Sequence, residues 1–236
     1  IHLGRKERVY GVPAYIAICD LMHRRHIAGA SVFLGVDGVA HGQRQRARFF
    51  ALNADVPLMV VAVGSGELIG RVLPELGGLL EHPMITLERV RVCKRDGALL
   101  EPPHALPKAD GHGLPLWQKL SVYTSESARR GGVPIHRALV QRLWRRKTPD
   151  GATGLRGIWG FHGDHPPHGD KVLTLGRRVP VVTTIIDTPA NIAESFEVVD
   201  ELTREDGLVT SEMVPALVSD ERDARQGRPP MADHRY

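Results

Sequence analysis

The chain repeats itself. Residues from Ile1 to about Val92 align with those from Val122 to about Val218. Gly11-Val12-Pro13 matches Gly132-Val133-Pro134, and Gly29-Ala30-Ser31 matches Gly151-Ala152-Thr153. Gly35 and Gly38 match Gly157 and Gly160, and Val56-Pro57-Leu58 matches Val179-Pro180-Val181. Ile85-Thr86-Leu87-Glu88 matches Val209-Thr210-Ser211-Glu212, and the offset grows from 121 to 124 along the copy. A duplication of this length implies two copies of one fold, and each copy tests the interpretation of the other.

The 236 residues then divide into a first repeat (1–93), a Pro/Gly-rich linker (94–116), a second repeat (117–219) and a polar tail (220–236) expected to be disordered. Domains of this size bury only roughly 60–65% of their unfolded surface, so they are expected to lean on each other or on further subunits. Hydrophobic content of 42% and charged content of 25% are ordinary for a soluble globular protein. No apolar run approaches the roughly 20 residues of a membrane helix, so membrane insertion is not expected. Cys19 and Cys93 have no CxxC spacing and suit a reducing, cytoplasmic setting. Ile1 enters mid-strand, because its counterpart Val122 follows Trp117 to Ser121, so a start or targeting segment upstream is expected. The net charge of +4 is locally clustered at Arg44, Arg46 and Arg48, at Arg129-Arg130, at Arg145-Arg146-Lys147 and at Arg177-Arg178. Such clusters favour anionic partners, although solvated surface faces would have the same composition.

Each repeat is predicted as strand, helix, strand, loop, strand, helix, strand. Pro13 and Pro134 are placed in the first turn of the first helix. Ala14, Ala17, Ile18 and Met22, matched by Ile135, Ala138, Leu139 and Leu143, form one apolar stripe per helix. The second strand runs from Ser31 or Thr153 to a Gly-x-x-Gly break. The third, from Val56 to Val63 and from Val179 to Ile186, is apolar enough to be central. Ser65 and Thr188-Pro189 open the second helices, with Pro74 a potential kink. The last strands are predicted to begin near Thr86 and Thr210. The order βαββαβ, with two amphipathic helices, predicts a ferredoxin-like α+β fold, its helices on one face of an antiparallel sheet. The other sheet face, apolar at the third strand, is expected to be covered by oligomer formation.

The stretch from Tyr123 to Pro134, then Gly151-Ala-Thr-Gly-Leu-Arg-Gly-Ile-Trp-Gly-Phe-His-Gly163, Arg178 to Thr188 and Gly207-Leu-Val-Thr-Ser-Glu212 together resemble a known family. It is the PII-like family called domain of unknown function 190. The first repeat carries a weaker copy in Gly29 to Gly38, Ala54 to Pro57 and Met84 to Glu88. It departs from the pattern at Asp37-Gly38-Val39-Ala40, where the second has Trp159-Gly160-Phe161. The resemblance implies a ferredoxin-like fold, a PII-type trimer and a regulatory, non-enzymatic role. It further implies a small effector, such as an adenine nucleotide, bound in clefts between subunits. A loop after the second strand would report the bound state to a partner protein, often a transporter or an enzyme.

The candidate ligand site is the Gly-rich turn and following loop. In the first repeat it comprises Gly35, Gly38, Arg44 and Arg46, with Gly42 and Arg48 nearby; in the second, Gly157, Gly160, Gly163 and Lys171, with His168 nearby. Glycines let a backbone approach an anion, successive N–H groups can cradle it, and Arg or Lys would add charge-assisted hydrogen bonds. The same glycines would also serve a plain strand end. No resident cofactor is predicted, and there is no GxxxxGK[ST] pattern. An alternative use of the second loop is metal binding by His162, His165 and His168 with Asp164 and Asp170. Cys19 aligns with Val140 and so reads as packing rather than as a nucleophile. Asp187-Thr188 suits a turn and helix cap better than a general base. An RNA-recognition module shares the βαββαβ order but needs aromatic residues on its central strands. These positions are aliphatic and aromatic content is only 5%, so nucleic acid is not an expected partner.

Overall fold

A computed structural model describes residues 1–40, 43–46, 56–81, 83–146, 151–169 and 179–214, with 37–40 and 43–46 described as backbone only. In the first repeat the elements are β1 (His2–Gly4), β2 (Arg8–Val9), β3 (Val12–Pro13), α1 (Ala14–Arg24) and β4 (Gly29–Leu34). They continue as β5 (Asp37–Ala40), β6 (Gln43–Arg46), β7 (Pro57–Val63) and α2 (Gly66–Leu79). A hairpin, β8 (Arg91–Arg95) and β9 (Ala98–Leu99), follows. The second repeat gives β10 (Trp117–Ser125), β11 (Arg129–Arg130), β12 (Val133–Pro134), α3 (Ile135–Arg146) and β13 (Gly151–Arg156). It ends with β14 (Trp159–His162), β15 (His168–Gly169), β16 (Pro180–Asp187), α4 (Pro189–Leu202) and β17 (Leu208–Val214). The expected tail at 220–236 lies outside the described residues.

The helices form for the reasons their sequences give. On α1 the stripe is realised with Ala14, Ile18 and Met22 buried, joined by Cys19 and Leu21. On α3, Ile135, Leu139 and Leu143 are buried. Pro13 is not in the first turn but at the N-cap, with φ −52° and ψ 129°. The ring fixes φ near that value, and an extended N-cap accepts it without a helical ψ. The Ser65 hydroxyl caps α2 by accepting from Leu68 N at 3.3 Å. Pro74 lies inside α2, whose span is unbroken. At α4 the N-cap is Thr188, which makes no side-chain capping bond. The Asp187 carboxylate accepts from Thr188 N at 2.6 Å and from Asn191 Nδ2 at 2.9 Å, so it ties the turn before the helix to the side chain of Asn191.

The printed registers are antiparallel; β13-β16-β10-β17 gives the full ferredoxin-like strand order, and β1-β7-β4 gives three of its four strands. Among the described residues one sheet runs β1-β7-β4-β14-β15 and the other β13-β16-β10-β17-β8-β9. Central strand β7 alternates, with Leu58, Val60 and Val63 buried and Met59 40% exposed. Strand β16 is buried at Val181, Val182, Thr183 and Ile185. Its near-continuous burial matches the apolar run that marked it as central.

The compact units do not follow the repeat boundaries. One comprises Ile1–Glu88, Tyr123–Ala128 and Arg156–Val182, and the other takes Arg89–Val122, Arg129–Leu155 and the chain from Thr183. In the first unit, β14 of the second repeat lies on the edge of β4. The register sets Trp159 against Val32, Gly160 against Ser31, Phe161 against Ala30 and His162 against Gly29. Ile158 N donates to Val32 O at 2.8 Å and Gly163 N to Ala28 O at 2.9 Å, so the seam is bonded at both ends. Phe161 is 2% exposed and joins the core with Ile18, Cys19 and Met22. Gly160 has φ +150°, and a Cβ there would stand 2.2 Å from Ala30 O. Only glycine fits so close a backbone approach.

In the second unit the region read as linker starts as structure. Asp96 and Gly97 have φ of +50° and +79° and close the β8–β9 hairpin, with Lys94 opposite Leu99 and Arg95 opposite Ala98. An Asp-Gly pair at positive φ is the favoured two-residue hairpin loop. Strand β8 pairs with β17, Val209 facing Lys94 and Thr210 facing Val92, with a register shift between them. In the first repeat the strand predicted at Thr86 is not formed: the copy has a single bridge from Met84 to His2, and the next strand begins at Arg91. In the second repeat the corresponding strand is β17, as predicted from Thr210.

Lys94 is fully buried, and its ammonium uses all three protons at the end of α4. Nζ donates to Asp200 O at 3.0 Å and Thr203 O at 3.1 Å, and pairs with Asp200 Oδ1 at 2.7 Å. Helix α4 has no basic residue in its own last turn, so a strand residue supplies the positive charge its C-terminus favours.

Two substitutions test these ties. Lys94→Ala strands two carbonyls and a half-exposed carboxylate, and is expected to cost about 3 kcal/mol, read as a lower urea midpoint at unchanged slope. Asp200→Asn, which keeps the carbonyl bonds, is expected to cost below about 1 kcal/mol. Gly160→Ala is expected to cost about 2–3 kcal/mol through the clash at the β14–β4 seam, whereas Gly154→Ala, where a Cβ meets open space, leaves the midpoint within about 0.5 kcal/mol.

Candidate functional site

The two hairpins that follow the second strand of each repeat have the same sequence origin and different fates. In the second repeat, β14–β15 is built into a sheet: Trp159 pairs with Gly169 and Gly160 with His168, while the other side of β14 holds β4. In the first repeat, β5–β6 forms a two-stranded sheet of its own. Its register sets Asp37 against Arg46, Gly38 against Gln45, Val39 against Arg44 and Ala40 against Gln43. Of the predicted site residues, Gly38, Arg44 and Arg46 are therefore brought together on one hairpin. Lys171 lies outside the described residues.

The glycines at the strand ends have their N–H groups engaged. Gly35 N donates to Pro57 O at 2.8 Å, Gly157 N to Pro180 O at 2.8 Å and Gly163 N to Ala28 O at 2.9 Å. Gly35 and Gly157 thus make the same bond in both repeats, tying the end of strand two to the start of strand three. A donor spent on a backbone carbonyl is not available to an anion. In this conformation an anion would be held by side chains, for which Arg44 and Arg46 are the nearest cationic candidates in sequence.

The second hairpin is walled by aromatic contacts from α1. Tyr15 meets Trp159 edge-on at 6.3 Å between centroids, and His23 meets Phe161 at 5.1 Å, also edge-on. Both lie within the preferred range for T-shaped pairs. His23 also approaches the Asp164 carbonyl at 3.3 Å, which fixes the start of the loop beyond β14.

The histidines proposed as a metal loop are not assembled as one. His162 is 6% exposed in β14, and its ring meets that of His165 edge-on at 5.7 Å. His168 instead turns to the Pro166 carbonyl, 2.7 Å from Nδ1, which must carry the proton in that bond. Among the described residues no three His, Cys, Asp or Glu side chains come together to hold a metal ion. Asp170, the remaining residue of that alternative, lies outside the described residues.

Other positions of the duplicated motif have structural tasks that spacing alone did not reveal. Glu212 pairs with Lys119 at 2.5 Å, and Ser211 Oγ accepts from Gln118 Nε2 at 2.8 Å. These contacts join β17 to β10. The Thr-Ser-Glu motif is therefore a strand seam. Both thiols are buried: Cys19 is pushed up by burial and then by Asp20, and Cys93 is pushed up to about 12, chiefly by burial. Neither forms a disulfide. No helix among the described residues is long and apolar enough to cross a membrane.

Comparison with known proteins agrees with the duplicated architecture. A UPF0166 protein of Methanocaldococcus jannaschii is 32% identical over 84 residues, which are 35% of this chain and 76% of the relative. The matched length is shorter than either repeat, so one repeat accounts for most of that protein. The family described as uncharacterized ACR, domain of unknown function 190, matches residues 1–92 and again 117–216. Two matches over most of the chain, on the two repeats that build the paired ferredoxin-like sheets, place this protein in the domain of unknown function 190 family as a tandem duplication.

Proposed function

We propose that the protein is a non-enzymatic, cytoplasmic regulator that binds a small anionic effector, with adenine nucleotides the first candidates, and signals its presence to a partner protein such as a transporter or enzyme. The observation that carries this is the β5–β6 hairpin. It follows strand two, forms a two-stranded sheet among the described residues, and sets Arg44 and Arg46 at alternate positions of one strand. Alternate residues of a strand share a face, so Arg44 and Arg46 occupy one face of β6. A pair of Arg forks is the side-chain arrangement that recognises phosphate or carboxylate groups. In this proposal the site lies in a cleft between chains of a trimer. Binding favours one arrangement of the segments at about 38–52 and 160–174, and the partner reads that arrangement. The buried, proton-holding thiols support a binding role over thiol catalysis.

Calorimetric titration with a panel of adenine nucleotides, alongside light scattering, tests the proposal. Saturable binding in the micromolar range is expected. Arg44→Ala with Arg46→Ala is expected to weaken it at least tenfold, consistent with about 1.5–3 kcal/mol for each hydrogen bond to a charged group. Absence of binding by every nucleotide in the panel removes nucleotide sensing. Unchanged hydrogen exchange at 38–52 and 160–174 under saturating nucleotide removes the signalling step. A separate check concerns the thiols. At pH 8 both stay protonated, so alkylation of the native protein is expected to be slow and to reach two groups per chain only on denaturation.

A further inference from the structure

The second unit holds a cluster of polar side chains whose hydrogen bonding is incomplete. It gathers where the segment after β9 meets β8 and β10. Leu100 N and Glu101 N both donate to Cys93 O, at 2.9 and 3.2 Å, which fixes the backbone of that segment on β8. From there the Glu101 carboxylate pairs with Arg91 Nη1, and the His104 ring meets Arg91 Nη2. Gln118 of β10 is 1% exposed, and its Nε2 donates to His104 O at 3.4 Å and to Ser211 Oγ at 2.8 Å. Ser211 lies opposite Arg91 in the β17–β8 register, so the contacts close into a circuit. The first repeat does not carry the same cluster, because the equivalent of Ser211 is Leu87, an exposed residue.

Two atoms of this circuit are buried and have no hydrogen-bond partner: Arg91 Nε and Gln118 Oε1. Turning the Gln118 amide around does not repair this. The His104 carbonyl can only accept, so it requires Nε2 on its side, and both Nε2 protons are then used. A buried polar atom without a partner is costly, and here a donor and an acceptor are unmatched in one cluster.

The unmatched pair defines the chemistry that completes it. The edge of a guanidinium shared by Nε and Nη2 is a two-pronged donor that takes a carboxylate. Gln118 Oε1 takes a donor beside that carboxylate. An ammonium there would sit next to the Arg91 charge and be repelled, whereas a hydroxyl would not. We infer that Arg91 and Gln118 bind a small 2-hydroxy carboxylate, its carboxylate on the Nε edge of Arg91 and its hydroxyl donating to Gln118 Oε1. The carboxylate of Glu101 competes for the same guanidinium. Arg91 is 21% exposed and Glu101 63%, so the competing ion pair is a surface one and is held weakly. The site is separate from the effector proposal, which concerns the β5–β6 hairpin of the other unit.

Calorimetric titration of the full chain with glycolate and with lactate tests the inference. Acetate, which lacks the hydroxyl, and glycine, which has an ammonium in its place, are the controls. Saturable binding of a hydroxy acid is expected, about tenfold tighter than either control, since both leave the Gln118 acceptor unmatched or repel Arg91. Arg91→Lys keeps the charge but loses the two-pronged edge, and is expected to weaken binding about tenfold or more. Gln118→Met, of similar length without the carbonyl, is expected to bring the hydroxy acids down to the affinity of acetate. Glu101→Ala removes the competing carboxylate from an exposed position and leaves both backbone bonds to Cys93 O in place. It is expected to tighten binding about two- to fivefold, a gain that misfolding cannot produce. Absence of binding in both the parent and Glu101→Ala, equal affinity for acetate, or a Glu101→Ala variant that binds no tighter overturns the inference. Arg44→Ala/Arg46→Ala is expected to leave glycolate binding unchanged while weakening nucleotide binding, so either proposal can fail alone.

Discussion

The architecture depends on backbone hydrogen bonds made across the edge of β4. Ferredoxin-like sheets end in a strand whose outer N–H and C=O groups need partners, and in the first unit those partners come from Trp159 to His162. The pairing brings Phe161 into the core beneath α1 and sets Trp159 against Tyr15. It also requires a residue without a side chain at Gly160. A duplicated chain whose second copy completes the first is a different object from two domains on a string. Family membership alone, which records two matches in succession, does not reveal this difference.

Lys94 performs the reciprocal task. It belongs to the stretch between the repeats, and its ammonium ends a helix of the second repeat. A buried ammonium is costly unless every proton is accepted, and here all three are. The net gain in stability from such a group is small. Its larger effect is on specificity, since β8 has one register against β17 in which that ammonium is satisfied. The bulge between Val209 and Thr210 lies in the same pairing, at the position where Lys94 faces Val209.

The apolar stripes of α1 and α3 were legible in the sequence because they rest on local periodicity. The β8–β9 hairpin was equally legible from Asp96-Gly97 between alternating residues, but the density of proline and glycine from Lys94 to Leu116 obscured it. The partner of β14 was not legible. A strand leaving a Gly-x-x-Gly turn can fold back on its own sheet or cross to another, and nothing local distinguishes them. The glycines of the candidate site show the same limit. An anion cradle and a close strand crossing both call for residues lacking Cβ, and only the positions of Pro57, Pro180, Ala30 and Ala28 reveal what Gly35, Gly157, Gly160 and Gly163 do in the fold. In the histidine loop, residue types likewise do not carry which way His168 turns, toward the Pro166 carbonyl.

The exchange of segments has a consequence for synthesis. A ribosome completes β4 about 130 residues before it completes β14, which at about 5–20 residues per second leaves the first sheet with a bare edge for roughly 7–26 seconds. During that time nascent chains translated side by side present identical unpaired strands to one another. Gly29-Ala-Ser-Val-Phe-Leu is uncharged and contains Val and Phe, a composition inclined to pair with itself. Arg44 and Arg46 of the following hairpin and Arg24 and Arg25 at the end of α1 would then act before the fold is complete, through charge repulsion between neighbouring nascent chains.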